Sequence, residues 1–260
     1  MFTLKEIVQA TGGKLFHAFK IRKIKGVSTN SRTLKKGELF IAIQGQKFDA
    51  HHFIPNVIEA GASAVVISKK EFIPKIEIPT VLVADTTKAL GNIASFHRQR
   101  FKIPVVAITG SAGKTTTKEM IAAVLQTQYK VLKNFKTENN QFGVPLTLLQ
   151  LRKSHEIVVM EIGTNHFGDI RWLTQVLQPT VAIFTNIGES HLEFLKNPAG
   201  VFREKSDLIR YQSLRGHIIF NSDDEQLKKI YFLNPIPEIS YKEELLGMRP
   251  VVINKNLEMI

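Results

Sequence analysis

One strand–turn–helix segment constrains the fold of this chain more than any other part of its sequence. The wholly apolar strand Val105–Thr109 runs into the turn Gly-Ser-Ala-Gly at 110–113, and a helical pattern opening on Lys-Thr-Thr-Thr follows at 114–126. A strand that leads through a glycine turn into a helix is the arrangement of a phosphate-binding loop. The usual loop has another glycine five positions before its second one, where this chain has Ile108, so the match is to the shorter pattern G-x-x-G-K-T. The segment predicts nucleotide binding, and the alternative is an ordinary strand–helix turn.

Each part of this loop and its helix has a predicted role. Gly110 and Gly113 allow backbone N–H groups to approach phosphate oxygens closely, and the helix N-terminus adds partial positive charge. Lys114 can reach the terminal phosphates of ATP, and the Thr115 hydroxyl can hold Mg²⁺. The loop residues expected to contact the nucleotide are Gly110, Ser111, Ala112, Gly113, Lys114, Thr115 and Thr116. The residues on the apolar side of the following helix are Met120, Ile121, Val124 and Leu125.

Two further apolar segments indicate a parallel sheet around the loop. Residues 157–161 and 181–185 read as short buried strands separated by helical stretches, which is typical of a parallel sheet covered on both faces. Glu161 closes the first of these, and His191 lies six residues beyond the second. Because ligands collect at the carboxyl ends of parallel strands, Thr115, Glu161 and His191 are predicted to hold one or two Mg²⁺ ions beside ATP. Taken singly, Glu161 reads as a salt-bridge partner and His191 as a surface or helix-capping residue.

The first hundred residues carry a separate set of elements. The predicted strands are 38–43, 64–68 and 80–84, and the predicted helices are 54–60 and 86–101. Gly61 takes the C-cap role after the first helix, and Thr86 is the expected N-cap of the second. A domain boundary is expected near 101–104. The sequence therefore predicts an α/β protein: a small N-terminal α/β domain, residues 1–101, followed by a mostly parallel sheet domain of the phosphate-loop type, residues 102–260.

Composition and charge narrow the classes of function. The chain has no cysteine, which excludes disulfides, thiolate metal sites and cysteine nucleophiles. Its formal net charge is +12 at pH 7, but the basic residues are scattered among acids without interleaved aromatic residues, so nucleic acid is not an expected partner. No stretch approaches the roughly 20 consecutive apolar residues that a membrane span requires. The N-terminus has neither a basic start nor an apolar run, so a cytoplasmic location is expected.

Two adjacent asparagines, Asn139 and Asn140, lie in a loop bounded by glycine and proline, and on their own they read as turn-forming residues. Together with other segments, however, they resemble the Mur ligases, the enzymes that build the peptidoglycan stem peptide. The segments that carry the resemblance are, in chain order, 26–32 (GVSTNSR), 37–45 (GELFIAIQG), 48–51 (FDAH), 108–120 (ITGSAGKTTTKEM), 139–147 (NNQFGVPLT) and 161–170 (EIGTNHFGDI). The resemblance covers roughly residues 1–225 in collinear order.

The resemblance implies roles that the residues alone do not. Lys205, by itself a helix-surface lysine, falls where related ligases carry a carbamylated lysine that helps to hold a second Mg²⁺. With Lys114 and His191 it would form the catalytic set. The other positions that the resemblance assigns to ATP, metal or substrate in this part of the chain are Thr115, Glu161, Asn139 and Asn140.

A second group of positions would bind the uridine nucleotide of the substrate in the N-terminal domain. These positions are Ser28, Thr29, Ser31 and Arg32. Their hydroxyl groups and the guanidinium suit a pyrophosphate. Asn30 departs from the family pattern, in which aspartate is commoner at this position.

The resemblance implies an ATP-dependent, amide-forming ligase. It would activate the carboxylate of UDP-N-acetylmuramoyl-tripeptide as an acyl phosphate and join it to D-alanyl-D-alanine, acting as a monomer. The family's third domain, which closes over ATP, has no counterpart after residue 225, so we expect the C-terminal ligase domain to be absent, the central domain to be incomplete, and the chain alone to form little or no product. The alternatives are an earlier Mur ligase or a folylpolyglutamate synthase, a non-catalytic nucleotide-binding fragment, and a P-loop kinase.

Overall fold

The computed structural model of the chain describes residues 2–17, 23–45, 48–211, 217–232, 238–241 and 252–253. The chain forms two compact units, Met1–Arg100 and Phe101–Ile260. The last residues of the central domain that was expected to be incomplete, 254–260, lie outside the described residues. No helix in the described part of the chain combines the length and the apolar character needed to cross a membrane.

The first unit is built on a sheet with the strand order β1-β5-β4-β3-β2 over its described residues. The strands are β1 (Lys14–Phe16), β2 (Val27–Ser28), β3 (Leu39–Ile41), β4 (Ala64–Ile67) and β5 (Thr80–Leu82). Strands β2 to β5 are parallel, and β1 runs antiparallel to β5. The helices are α1 (Leu4–Thr11), α2 (Ile54–Glu59) and α3 (Thr86–Arg98), with short 3₁₀ helices at Ala50–Phe53 and Lys70–Lys75. Strands β3 and β4 are wholly buried, which is why they read as continuous apolar runs.

The second unit contains a larger sheet with the order β12-β11-β10-β9-β6-β8-β7 over its described residues. The strands are β6 (Val105–Thr109), β7 (Val131–Lys133), β8 (Ile157–Glu161), β9 (Val181–Phe184), β10 (His217–Asn221), β11 (Glu238–Tyr241) and β12 (Val252–Ile253). The helices are α4 (Lys114–Leu125), α5 (Gly143–Leu148), α6 (Asp169–Leu177), α7 (Leu192–Leu195), α8 (Pro198–Lys205) and α9 (Asp207–Tyr211), with a 3₁₀ helix at Leu227–Phe232. All neighbouring strands in this order pair in parallel except β12, which runs antiparallel to β11. The carboxyl ends of β6, β8 and β9 therefore meet at one edge.

Two predicted helix caps are displaced by one residue. The N-cap of α3 is Asp85 and not Thr86: the Asp85 carboxylate accepts hydrogen bonds from Thr87 N at 2.7 Å and Lys88 N at 3.0 Å. A carboxylate is the stronger acceptor and also complements the positive end of the helix dipole. At the end of α2 the C-cap is Ala60, and Gly61 follows it in the left-handed region at φ 88°.

The apolar pattern of α4 is wider than the face that the helix buries. Ile121 and Leu125 pack against the buried cluster formed by β6, β8 and β9, but Met120 and Val124 are 65% and 70% exposed. The neighbouring Lys118 is instead fully buried, because its ammonium group donates hydrogen bonds to backbone carbonyls on the segment after β7. Periodicity located the helix but did not separate its buried residues from its exposed ones.

Candidate nucleotide and metal site

The turn between β6 and α4 has the geometry of an anion-binding loop. Gly113 precedes the helix at φ 77°, in the left-handed region. Gly110 has φ 150°, and a Cβ there would lie 1.9 Å from Thr185 Oγ1, so the close packing of the turn requires glycine. The backbone N–H groups of residues 113–116 have no hydrogen-bond partner among the described residues. They stand at the N-terminus of a 12-residue helix, which is a favourable place for a phosphate group.

The hydroxyl and carboxylate predicted to hold a metal ion lie in direct contact. Thr115 Oγ1 donates a hydrogen bond to Glu161 Oε2 at 2.7 Å. The other carboxylate oxygen, Oε1, accepts a hydrogen bond from Asn139 Nδ2 at 2.6 Å. Glu161 is 1% exposed, so these two contacts fix the orientation of a buried carboxylate at the end of β8. Three residues from three separate segments therefore converge beside the phosphate loop.

A cavity of about 330 Å³ lies at the same edge of the sheet. The predicted site residues among those that line it are Lys114, Asn139, Asn140, His191 and Lys205. Residues 163–166, Asp169 and Trp172, which sequence reasoning did not assign to a site, form another part of its wall. That segment follows β8 directly after Glu161, so its position at the carboxyl edge was the signal available in the sequence.

Basic side chains face one another across this cavity. Lys205 is 1% exposed, and burial, with a smaller contribution from Lys114, lowers the pKa of its amine to about 7, while Glu204 acts in the opposite direction. Desolvation lowers the pKa of His191, and nearby Lys205 and Lys114 lower it further against the opposing effect of Asp169. Burial also lowers the pKa of Lys114, and Glu161 opposes that change. The cavity therefore favours anions and holds a lysine that is readily deprotonated.

Glu204 anchors the helix that carries Lys205. Its side chain is 2% exposed and accepts hydrogen bonds from Gly168 N at 2.7 Å, Ile170 N at 2.8 Å and Thr164 Oγ1 at 3.2 Å. Burial raises the pKa of this carboxyl group despite those bonds. The contacts tie α8 to the wall of the cavity at the start of α6. Sequence reasoning missed Glu204 because a glutamate beside a lysine on a helix normally reads as part of a solvated face.

A buried asparagine holds the end of β8 against the segment after β7. Asn134 is fully buried; its Nδ2 donates to Glu138 O and Glu161 O, each at 2.9 Å, and its Oδ1 accepts from Glu161 N at 3.0 Å. Lys118 Nζ donates to Asn134 O at 2.9 Å from the other side. These contacts fix both the backbone of Glu161 and the loop that carries Asn139. Asn134 comes directly after β7, and Glu161 is the last residue of β8, so the position of Asn134 at the carboxyl end of a strand was the signal available in the sequence.

The two adjacent asparagines have different environments. Asn139 contacts the Glu161 carboxylate, as described above. Asn140 Oδ1 accepts hydrogen bonds from Phe142 N and Gly143 N, each at 3.0 Å, at the start of α5. Asn140 thus forms a turn, in agreement with the reading of the residues alone, while it also lines the cavity.

The donor set near Glu161 suits Mg²⁺ better than a transition metal. The described residues contain no group of three or more His, Asp or Glu side chains arranged to hold a metal ion. Mg²⁺ does not need such a group, since it is usually held by one or two carboxylates together with phosphate oxygens and water. The Thr115 hydroxyl and the Glu161 carboxylate beside a phosphate loop fit that requirement.

The residues predicted to bind a uridine nucleotide belong to the first unit. Ser28 closes β2, and its Oγ donates to Asn30 O at 3.0 Å; Asn30 Oδ1 in turn accepts from Arg32 N at 2.9 Å. Thr29 and Ser31 are half-buried in this turn, and Arg32 is exposed. A polar cleft of about 420 Å³ lies at the carboxyl ends of β3, β4 and β5, which is the edge of the parallel sheet where Ser28 also lies.

The sequence matches two family models. Residues 108–245 match the Mur ligase middle domain, and residues 23–98 match the model described as Mur ligase family, catalytic domain. Among curated relatives, the UDP-N-acetylmuramoyl-tripeptide–D-alanyl-D-alanine ligase of Buchnera aphidicola subsp. Baizongia pistaciae is 39% identical over 206 residues, which are 79% of this chain and 45% of the relative. The chain spans about half the length of the curated relatives it matches.

Solved structures resemble the chain over most of its length. A crystal structure of MurF from Acinetobacter baumannii superposes with a TM-score of 0.84 at 34% identity and covers 92% of this chain and 55% of that one. MurF ligase from Thermotoga maritima, solved in complex with ADP, has a TM-score of 0.78 at 30% identity, with coverage of 84% and 50%. Fold and site together define an α/β protein with a phosphate loop at the carboxyl edge of a parallel sheet. The chain belongs to the Mur ligase family.

Proposed function

We propose that this chain is part of an ATP-dependent ligase that joins D-alanyl-D-alanine to UDP-N-acetylmuramoyl-tripeptide in peptidoglycan precursor synthesis. The observation that carries the proposal is the convergence of Lys114, His191 and Lys205 on one cavity beside a phosphate loop. The Thr115–Glu161 pair adjoins this cavity through Asn139, which lines it. The names of the relatives support the choice of substrates, and the ADP complex of the Thermotoga maritima enzyme supports the choice of nucleotide.

The proposed reaction has two steps. A carboxylate oxygen of the tripeptide attacks the γ-phosphorus of ATP, so that an acyl phosphate forms and ADP leaves. The amino group of D-alanyl-D-alanine then attacks the acyl carbon, an amide forms, phosphate leaves, and the amine loses a proton. Phosphorylation is needed because a carboxylate by itself has no good leaving group.

The chain's own residues would bind and orient the reacting groups. The amides of 113–116 and Lys114 are placed to stabilise negative charge on the phosphates. Thr115 and Glu161, with His191, would hold Mg²⁺, which supplies further neutralisation of phosphate charge when bound. His191 suits a ligand role because its lowered pKa keeps the imidazole neutral at pH 7. Asn139 fixes the Glu161 carboxylate.

Lys205 has the properties required for carbamylation. A pKa of about 7 leaves a large fraction of its amine neutral at physiological pH, and only the neutral amine adds CO₂, with release of one proton. The product is an anion that would relieve the repulsion from Lys114 and could serve as an oxygen ligand for a second Mg²⁺. A ¹³C-bicarbonate NMR experiment tests this: we expect a carbamate resonance in the wild type and none in Lys205→Met.

Recognition of the uridine nucleotide is proposed for the first unit. The turn that carries Ser28, Thr29, Ser31 and Arg32 lies at the carboxyl edge of its parallel sheet, where ligands of α/β proteins collect. Arg32→Ala should weaken binding of the UDP-linked tripeptide. Unchanged affinity in a titration of the full chain would remove Arg32 from the site.

A monomeric state and a cytoplasmic location are also proposed.

One assay tests the proposed function against its alternatives. The chain is given ATP, UDP-N-acetylmuramoyl-tripeptide and D-alanyl-D-alanine, and the ADP that it releases is followed through a coupled dehydrogenase reaction. Lys114→Ala serves as the inactive control. Substrate-dependent ADP release with amide product supports the proposal. Release with an earlier muramoyl precursor or with a folate would favour another ligase of the superfamily. The assay is run on this chain and on a longer chain that includes the rest of the ligase. ATP binding without turnover in both would favour a nucleotide-binding module.

A further inference from the structure

The segment after β9, residues 185–191, is fastened to the phosphate loop by side chains. Thr185 Oγ1 donates to Ala112 O at 2.6 Å. The Ser111 hydroxyl bonds to Gly188 O at 3.0 Å and accepts from Gly188 N at 2.9 Å. These contacts join two loops that are more than 70 residues apart in the chain.

Asn186 makes the contact with the most direct consequence for a ligand. Its Oδ1 accepts hydrogen bonds from two amides of the phosphate loop, Ser111 N at 3.1 Å and Ala112 N at 2.8 Å. Its backbone carbonyl also accepts from Ser111 N at 3.0 Å. A neutral amide oxygen therefore occupies the place beside the first half of the loop that an anion would otherwise take.

The remaining amides of the loop are left open. Among the described residues, the N–H groups of 113–116 have no partner, whereas those of Ser111 and Ala112 are both bonded. A peptide N–H already committed to a strong acceptor contributes little to a second one. The loop is thus divided into a part that is held by the protein and a part that is available to phosphate.

The segment that carries Asn186 is itself held from two sides. Asp224 Oδ2, on the turn after β10, accepts a hydrogen bond from Ile187 N at 2.6 Å. At its end, His191 adopts φ 54°, a left-handed conformation that is unfavourable for a residue other than glycine and persists only where surrounding contacts maintain it. The position of Asn186 is therefore held by contacts of its own segment with the rest of the fold.

We propose that Asn186 is a positioning residue for the nucleotide. Its side-chain oxygen holds the first half of the phosphate loop in place, so that the amides of 113–116 point together at one phosphate group, and it keeps both hydrogen bonds when the nucleotide binds. Because the same segment ends at His191, it also fixes the distance between the loop and the imidazole. The inference rests on the proposed nucleotide-binding function.

The first test measures affinity. ADP and AMP are titrated into the full chain by calorimetry for the wild type, Asn186→Ala and Glu156→Ala. Glu156 is the control, since its side-chain oxygen also accepts a backbone N–H, that of Lys130 at 2.9 Å, but just before β8 begins, at the opposite edge of the same sheet. We expect Asn186→Ala to weaken ADP about tenfold or more, which corresponds to about 1.4 kcal/mol, while AMP, which lacks the β-phosphate, changes less than twofold. Glu156→Ala should bind both nucleotides like the wild type.

The second test uses the wild type alone and remains decisive if Asn186→Ala does not fold. Amide hydrogen exchange at Ser111 and Ala112 is followed by NMR before and after ADP is added. We expect protection in both states, with new protection at 113–116 only in the bound state. Loss of protection at Ser111 and Ala112 on binding, or equal ADP affinity in Asn186→Ala and wild type, would overturn the proposal while leaving nucleotide binding intact. Failure of the wild type to bind ADP would overturn both.

Discussion

The pKa of Lys205 predicts a specific dependence of stability on pH. The amine has a pKa of about 7 in the folded chain and 10.5 as its ordinary value. Between these pH values the unfolded chain binds a proton that the folded chain does not, so the free energy of unfolding rises with pH through this window. Below pH 7 both states are protonated, and the full cost of the buried charge is present. At about 1.4 kcal/mol per pH unit, Lys205 alone should add about 2 kcal/mol of stability between pH 7 and pH 9.

A comparison of variants isolates this contribution. Urea unfolding is measured at half-unit intervals from pH 6 to pH 10 for the wild type, Lys205→Met and Lys153→Met, in buffers free of CO₂ so that no carbamate forms. Methionine fills nearly the same volume without a charge, and Lys153 is an exposed lysine of the same unit. The difference between wild type and Lys205→Met should change by about 2 kcal/mol between pH 7 and pH 9, with Lys205→Met relatively more stable at pH 7.

Other titratable groups contribute equally to the unfolding free energies of the wild type and of Lys205→Met. Their contribution therefore cancels in the difference between the two, unless the group contacts Lys205. The profile of Lys153→Met should run parallel to that of the wild type. If the profile of Lys205→Met is parallel as well, the amine is not titrating in this window, and the reasoning from burial and from repulsion by Lys114 is wrong.

Three further changes give distinct readouts. Lys114→Ala should abolish ADP binding in calorimetry and leave the circular dichroism spectrum unchanged, because the half-buried lysine donates its hydrogen bond within the loop itself, to Ser111 O at 3.3 Å. Asn134→Ala should lower the free energy of unfolding by about 2–4 kcal/mol in urea titrations, since it removes the side-chain partner of two buried backbone groups of Glu161 and of the partly buried carbonyl of Glu138. The pKa of His191, followed by NMR, should lie below its ordinary value and should rise in Lys205→Met, because a neighbouring positive charge has been removed.

The sequence predicted those parts of the site that depend on local pattern. The strand, glycine turn and helix of residues 105–126 lie close together in the chain, and each has its own compositional signal. The parallel arrangement of β6, β8 and β9 then follows from their uniform apolarity, so that Glu161 could be placed at the same edge as Lys114. The structure confirms this arrangement of strands, although it does not test the roles of the residues.

The residues that support the site could not be predicted in this way. Asn134, Asn186 and Glu204 act through contacts with backbone groups between 27 and 75 residues away, and no local pattern marks such a contact. An asparagine after a strand reads as a turn residue, and a glutamate on a helix reads as solvated. Their function depends on which loops the tertiary fold places side by side.

Basic residues that are scattered along the sequence are brought together in the structure. The basic residues are dispersed along the sequence, yet Lys114, His191 and Lys205 come from three separate elements to line one cavity. Their mutual repulsion is part of the cause of the lowered pKa values of Lys205 and His191. An anion that enters the cavity reverses that effect, because each positive charge then has an opposite charge nearby. By linkage, we expect a carboxylate, which stays ionised near pH 7, to bind with uptake of protons, and lower pH to favour its binding until the lysine is fully protonated.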